Sequence, residues 1–186
     1  MTTLRVAHRV RTTTAEGPGT RYALWVQGCS LRCAGCCNPE MFSTRGGEVI
    51  EVARLVDEVL AAPVEGVSLL GGEPFEQAEG CAELARAVRA HGRSVMVFTG
   101  YTRDEVAGSP LLESCDLLVD GRYERDLPDE TRRWIGSTNQ RMHFLTERYR
   151  PDDPCFRRGN EVILRLTKKE LSVHGWPAAA ARVRSP

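Results

Sequence analysis

The run Trp25-Val26-Gln27-Gly28-Cys29-Ser30-Leu31-Arg32-Cys33-Ala34-Gly35-Cys36 decides how the rest of the chain is read. A short apolar strand, Tyr22 to Val26, feeds a loop carrying three cysteines in the spacing C-x3-C-x2-C. A tetrahedral ion or a four-iron cube uses four ligands, so one is missing. Zinc would need a fourth donor of matching spacing. Cys37 directly follows Cys36 and would be strained to join the same ion, and His8, His91, His143 and His174 are isolated. A disulfide framework is disfavoured, because the seven cysteines come without an apolar signal segment. An iron–sulfur cube held by three cysteines, with one iron open to a small molecule, fits the ligand count best. Gly28 and Gly35 suit a chain that curls tightly around an inorganic core.

Outward from this loop, apolar strands alternate with helical patterns. Val52, Leu55, Val56, Val59 and Leu60 have helical spacing and predict a helix over Val49 to Leu60, closed by Pro63 and Gly66. Val67 to Leu70 reads as a buried strand that stops at Gly71-Gly72-Glu73-Pro74. A second helix is predicted from about Phe75 to Ala90, then a strand at Ser94 to Phe98 followed by Thr99-Gly100-Tyr101. Thr102 with Glu105 reads as a capping box opening a short helix. Asp116 to Val119 is a strand ending at Asp120-Gly121, Glu124 to Ser137 a polar loop, and Arg141 to Leu145 a fifth strand. Glu161 to Leu166 and Glu170 to Val173 flank a two-residue turn at Lys168-Lys169, which predicts a terminal hairpin. This order predicts an α/β chain with a parallel sheet. Ligands in such sheets sit beyond the carboxyl ends of the strands. The loops after Val26, Leu70 and Phe98 all leave such ends, so one site could collect them.

The 186 residues fit one domain, residues 1–186, and are too few for an eight-unit barrel of about 250 residues. Formal net charge is zero and aromatic residues make up 6%. Neither gives reason to expect nucleic acid or an anionic membrane surface as a partner. No run approaches the roughly 18 apolar residues of a membrane span. Met1 to Arg11 has no apolar signal core, so a cytoplasmic location is expected.

Cys29-x3-Cys33-x2-Cys36 resembles the signature of the radical S-adenosylmethionine (SAM) superfamily. Gly71-Gly72-Glu73-Pro74, directly after an apolar strand, resembles that superfamily's GGEP motif, although a plain tight turn has the same composition. The resemblance implies a [4Fe–4S] cluster on the three cysteines with SAM on the open iron. Reductive cleavage then gives methionine and a 5′-deoxyadenosyl radical, which abstracts a hydrogen atom. It also implies that the Gly71 to Pro74 backbone binds the methionine amino group, with Glu73 either touching SAM or fixing the loop.

Further matches narrow the branch. Trp25 to Cys29, Cys33 to Cys36 with Asn38-Pro39, Thr99 to Thr102, Val119-Asp120-Gly121, Gly136-Ser137-x-Asn139-Gln140-Arg141 and Gly175-Trp176-Pro177 resemble the activating proteins of anaerobic ribonucleotide reductases. These matches run from about Thr20 to Pro177. The implied fold is a partial (β/α)6-type barrel, core about 20–150, with a C-terminal β-hairpin extension over about 151–186. The implied partners are a large glycyl-radical enzyme, which donates the hydrogen atom, and an electron donor such as flavodoxin. Direct modification of a small molecule or peptide is the alternative, and a non-catalytic metal-binding module is a third reading. A longer activase branch inserts a cysteine-rich segment before GGEP; no cysteine lies between Cys37 and Gly71, which excludes that branch.

Three more residues are candidates for the cofactor site. Thr99 ends a strand where the ribose or methionine of SAM could sit, and Asp120 could bind SAM hydroxyls or a cation. Asn139 could contact the cofactor or the target. The plain alternatives are a turn residue, a turn carboxylate and a loop network. One departure stands out: many members of the family carry an aromatic residue after the third cysteine, where this chain has Cys37. Cys37 is either a small buried filler or a redox-active thiol. The chemistry needs no general base or nucleophilic triad, and the sequence offers none.

Overall fold

Period-two apolar strands and two amphipathic helices build one open sheet with helices on a single face. The computed structural model describes residues 1–166 and 171–175. Its elements are β1 (Thr3–Thr13), β2 (Arg21–Val26), β3 (Glu48–Glu51), α1 (Val52–Leu60), β4 (Gly66–Gly71), α2 (Ala78–Ala90), β5 (Ser94–Phe98), α3 (Pro110–Glu113), β6 (Leu117–Asp120), β7 (Arg141–Phe144), β8 (Val162–Leu166) and β9 (Leu171–Gly175). Seven strands pair in the order β3-β1-β2-β4-β5-β6-β7, while β8 and β9 form a separate antiparallel hairpin. The architecture is therefore mixed α/β, and the sheet does not close.

The expected parallel pairing holds for β2, β4, β5 and β6. It is corrected at both margins, where β1, β3 and β7 run antiparallel to their neighbours. Side chains alternate between the faces. Tyr22, Leu24, Val26, Val67, Leu69, Val95, Val97 and Leu118 pack under Leu55 and Val59 of α1 and Ala82, Ala85 and Val88 of α2. Ala23, Trp25, Leu70, Met96, Leu117 and Val119 point to the opposite, helix-free face. That face is the inner wall of the site.

Other expectations shift by local physics. The helix starts at Val52, not Val49, because Val49 and Ile50 pair with Arg5 and Leu4 of β1 and Glu51 caps the helix in an extended conformation. The second helix begins with a 3-10 turn at Pro74–Gln77 before α2, and Gly92 follows its end at φ +75°. The Thr102–Glu105 capping box forms, with Thr102 N donating to Glu105 Oε2 at 2.7 Å. It opens only turns, and the short helix comes later at Pro110, behind the cap Ser109. The hairpin is present, while the turn at Lys168-Lys169 and the tail Trp176-Pro177 lie outside the described residues. Among the described residues no helix is long and apolar enough to cross a membrane.

The lower part of the inner face holds a fully buried arginine. Arg21 Nε donates to Ser68 Oγ at 3.1 Å, and its other nitrogens donate to Ser94 Oγ and to the carbonyls of Val67 and Ser94. Burial pulls its pKa down to about 10. The Arg21 network ties β2, β4 and β5 together at the end remote from the cysteines.

Candidate cluster and ligand site

The cysteine loop is anchored at both ends before it reaches its thiols. Gly28 N donates to Met41 O at 2.9 Å and Cys29 N to Phe42 O at 3.2 Å. Cys36 N closes a turn on Cys33 O at 3.1 Å. Ser30 donates from N and Oγ to Glu76 Oε1 at 2.8 and 2.6 Å, which fixes the loop to the 3-10 turn after β4. Arg32 takes a left-handed backbone, φ +48°, which bends the loop between its first two cysteines.

Cys29, Cys33 and Cys36 all line one cavity of about 630 Å³. Each is partly exposed, with no disulfide. Contact with the Cys37 thiol brings Cys36 down to about 7, assisted by the Asn38 N–H, whereas burial raises Cys29. Among the described residues no three His, Cys, Asp or Glu side chains are grouped tightly enough for one ion. A four-iron cube makes no such demand, since it spreads its ligands over separate iron atoms. Three thiols on one loop, open to a common cavity, match that donor set.

Gly71, Gly72, Glu73 and Thr99 line the same cavity, so it collects the loops after β2, β4 and β5. The two glycines are required by the protein itself. Gly71 sits at φ +109°, and a Cβ there would lie 2.6 Å from Val26 N. A Cβ on Gly72 would overlap the Gly28 carbonyl. The close approach lets Gly72 N donate to Val26 O and Glu73 N to Gly28 O, both at 2.7 Å. Two of the rim's N–H groups are thus committed to the base of the cysteine loop.

Glu73 is 1% exposed and braces two loops. Its Oε1 accepts from Phe75 N at 2.9 Å and Thr99 Oγ1 at 2.8 Å, and its Oε2 accepts from Gly100 N at 2.9 Å. Burial pushes the carboxyl up to about 7 against these three donors. Pro74 is buried at the first turn and does not line the cavity.

Asp120 and Asn139 also lie outside the cavity lining. Asp120 Oδ2 accepts from Arg103 N at 2.7 Å and lies 3.0 Å from His143 Nε2. Asn139 is exposed and donates to the Arg122 carbonyl at 2.8 Å. Its neighbour Gln140 faces the cavity instead. Gln140 Oε1 accepts from Gly136 N and Ser137 N, and its Nε2 donates to Gly121 O.

Several lining residues carried no sequence signal. Trp134 is buried at φ +61°, under the Arg133 guanidinium 4.4 Å from its ring. Glu16 comes from the loop between β1 and β2, and Tyr123 from the segment after β6. Glu16, Glu40 and Glu73 line the cavity, and no lysine or arginine of the described residues does.

An α/β sheet whose strand ends gather three cysteines and a glycine rim defines a single-cluster iron–sulfur protein, and residues 15–143 match the family described as "4Fe-4S single cluster domain". The anaerobic ribonucleoside-triphosphate reductase-activating protein of Enterobacteria phage T4 is 32% identical over 139 residues, covering 71% of this chain and 88% of the phage protein. The proteins of the same name from Escherichia coli K12 and Salmonella typhimurium are 33% and 34% identical over 141 and 142 residues, each covering 70% of this chain and 92% of the relative. The chain belongs to the family of anaerobic ribonucleoside-triphosphate reductase-activating proteins.

Proposed function

We propose that the chain is a radical SAM activase that generates a glycyl radical on an anaerobic ribonucleotide reductase. The observation that carries this reading is the single cavity lined by Cys29, Cys33, Cys36 and the Gly71-Gly72 rim, delivered by different strand ends. The relatives' shared name points to the reductase as partner. In this reading the open sheet is the curved wall of a partial (β/α)6-type barrel. Residues 1–186 then form one domain, with a core of about 20–150 and an extension of about 151–186.

Cys29, Cys33 and Cys36 would hold a [4Fe–4S] cluster. With SAM bound and one electron from a donor such as flavodoxin, that pair supplies a 5′-deoxyadenosyl radical able to take hydrogen from a backbone glycine. The chain's own residues bind, orient and exclude water. The Gly71 to Pro74 segment forms the rim for the methionine end of SAM, and Glu73 keeps it in place through Thr99 and Gly100. Glu16, Glu40 and Glu73, with no lysine or arginine of the described residues in the lining, favour a ligand carrying sulfonium and ammonium charges. Trp25, Leu70 and Phe98 give the cavity an apolar wall that shields a reactive intermediate from side reactions. Asp120 and Asn139 act from behind the wall, holding the Arg103 turn and the Arg122 carbonyl.

Anaerobic purification should yield about four irons and four sulfides per chain. SAM with dithionite should give 5′-deoxyadenosine, and adding the reductase should give a glycyl radical by electron paramagnetic resonance. Cys33→Ala should lose both cluster and cleavage. Zinc alone, with no 5′-deoxyadenosine, would sink the proposal. Cleavage without a reductase radical would transfer it to direct modification of a small molecule or peptide.

A further inference from the structure

Cys37 touches the cysteine loop's third ligand without belonging to the ligand set. It is partly exposed and lines the cavity beside Cys36, which does not suit a buried filler. Its thiol stands in hydrogen-bonding contact with the Cys36 sulfur. Backbone groups also serve the ligand sulfurs. Asn38 N donates to Cys36 Sγ at 3.4 Å, and the N–H groups of Arg32 and Leu31 reach Cys29. Those three donors come with the turn, because any residue except proline would supply them. The Cys37 S–H differs, since the side chain at position 37 alone decides whether it exists. The aromatic side chain that many family members carry there has no donor at the γ position.

Two residues of the segment after β6 close this corner. A Cβ on Gly35 would lie 2.8 Å from Arg125 Cδ, so the Arg125 side chain lies across the turn. The Tyr123 ring occupies the space beside Gly136, where a Cβ would meet its Cδ2 at 3.1 Å, and it stands near both thiols. The thiol pair is thus covered on that side, and a weak S–H donor meets less competition from water there. The direction of the bond follows from the ligand set. A metal takes the thiolate, so Cys36 has no proton to give and Cys37 is the donor.

An electron added to an iron–sulfur cluster raises the negative charge on its sulfurs. A donor to a ligand sulfur therefore stabilises the reduced form more than the oxidised form, and such bonds help to set cluster potentials. We propose that Cys37 donates an S–H···S hydrogen bond to the ligand sulfur of Cys36 and thereby raises the reduction potential of the cluster. The proposal rests on the assignment of the cluster to Cys29, Cys33 and Cys36, and adds a residue that eases electron entry. Cys37 acts through Cys36 and is not itself a ligand. No covalent bond to it forms or breaks; one electron arrives from the donor, and the Cys37 proton stays on its own sulfur.

The test compares wild type with Cys37→Ser, which keeps a donor at the γ position, and Cys37→Val, which keeps bulk without one. Each chain is loaded anaerobically and its iron and sulfide are counted. The cluster is then titrated with dithionite, without SAM, and followed by electron paramagnetic resonance. Cys37→Val should lower the ratio of reduced to oxidised cluster at a fixed potential by roughly threefold to tenfold, the scale of one modest hydrogen bond. At about 59 mV per tenfold for one electron, the midpoint falls by roughly 30–60 mV. Cys37→Ser should stay close to wild type. Cys37→Ala supplies the same comparison if the β-branched side chain does not fit the turn. An unchanged midpoint in the chains without a donor, or an equal shift in Cys37→Ser, would overturn the proposal. So would variants that fold normally by circular dichroism yet cannot hold four irons, since Cys37 would then be a ligand. The cluster assignment fails on a different measurement, the absence of iron and sulfide from the wild-type chain, so the two failures are separable.

Discussion

Replacing Glu73 by glutamine tests whether this residue braces the rim or touches the ligand. Three donors converge on the carboxylate, from Phe75 N, Thr99 Oγ1 and Gly100 N. A carboxamide of the same size keeps one oxygen and presents an NH2 in place of the other. If the oxygen stays at the Oε1 position, Phe75 and Thr99 keep their acceptor and Gly100 N–H meets another donor. The opposite orientation loses two bonds, so the first is preferred. One buried N–H without an acceptor costs about 1–3 kcal/mol. For a chain of this size that corresponds to a fall in Tm of about 2–12 °C. Gly100 carries the segment after β5, so the rim should loosen and SAM affinity should fall together with stability. The assay is paired: thermal unfolding by circular dichroism, and SAM binding by calorimetry on the reconstituted enzyme. Wild-type stability with wild-type affinity would refute the brace. Wild-type stability with lost affinity would show that Glu73 contacts SAM directly. The gap between wild type and Glu73→Gln should widen as pH falls from about 7 toward 5, because only the wild-type chain takes up a proton on folding and gains stability there.

Further outcomes follow from neighbouring contacts. Gly72→Ala forces a methyl group onto the Gly28 carbonyl and should cost about 1–3 kcal/mol, read from urea unfolding, with the cysteine loop displaced. Gly28→Ala has a nearest contact of 3.4 Å but sits at φ +104°, so it should cost about 1–2 kcal/mol through backbone strain alone. Ser94→Ala removes an acceptor from buried Arg21 and a partner from Tyr149, and should destabilise by about 1–3 kcal/mol in the same assay. Glu16 and Glu73 have carboxyls raised from 4.5 to about 7, so the folded chain binds more protons than the unfolded chain between those values. Stability should therefore decline as pH rises from about 5 to 8, by on the order of 3 kcal/mol per group, with Glu73→Gln removing its share; a rise over that interval would contradict the assignment.

The sheet's centre was legible because its strands are short, apolar and bounded by glycine or proline. Ser94 to Phe98 is found as read, Arg21–Val26 starts one residue earlier than read, and Gly66–Gly71 is one residue longer at each end. β1 was not legible. Its register shifts after Val6, which places Leu4 and Val6 under the helices and Val10 on the opposite face, so no single period of two runs through it. β3 was hidden by a helical pattern that continued through Val49 and Ile50, residues claimed instead by pairing with β1. In the site, the cysteines and glycines were readable because one loop and one turn carry them. Glu16 and Trp134 were not, since one depends on a loop folding back onto Ser68 and the other on a left-handed backbone at a bulky residue.

The Gly28–Gly72 approach has a consequence for how the metal centre matures. The stem of the cysteine loop, Val26 to Ser30, is stitched to Met41, Phe42, Gly72, Glu73 and Glu76 by bonds that involve no thiol. The thiols are thus presented on a frame whose geometry does not depend on metal. Cluster delivery would resemble docking into a finished socket, and a chelator should strip the metal while leaving the far-ultraviolet spectrum intact. Small zinc-dependent domains behave in the opposite way and unfold when their metal is removed. A chain with this architecture can fold first and receive its metal afterwards.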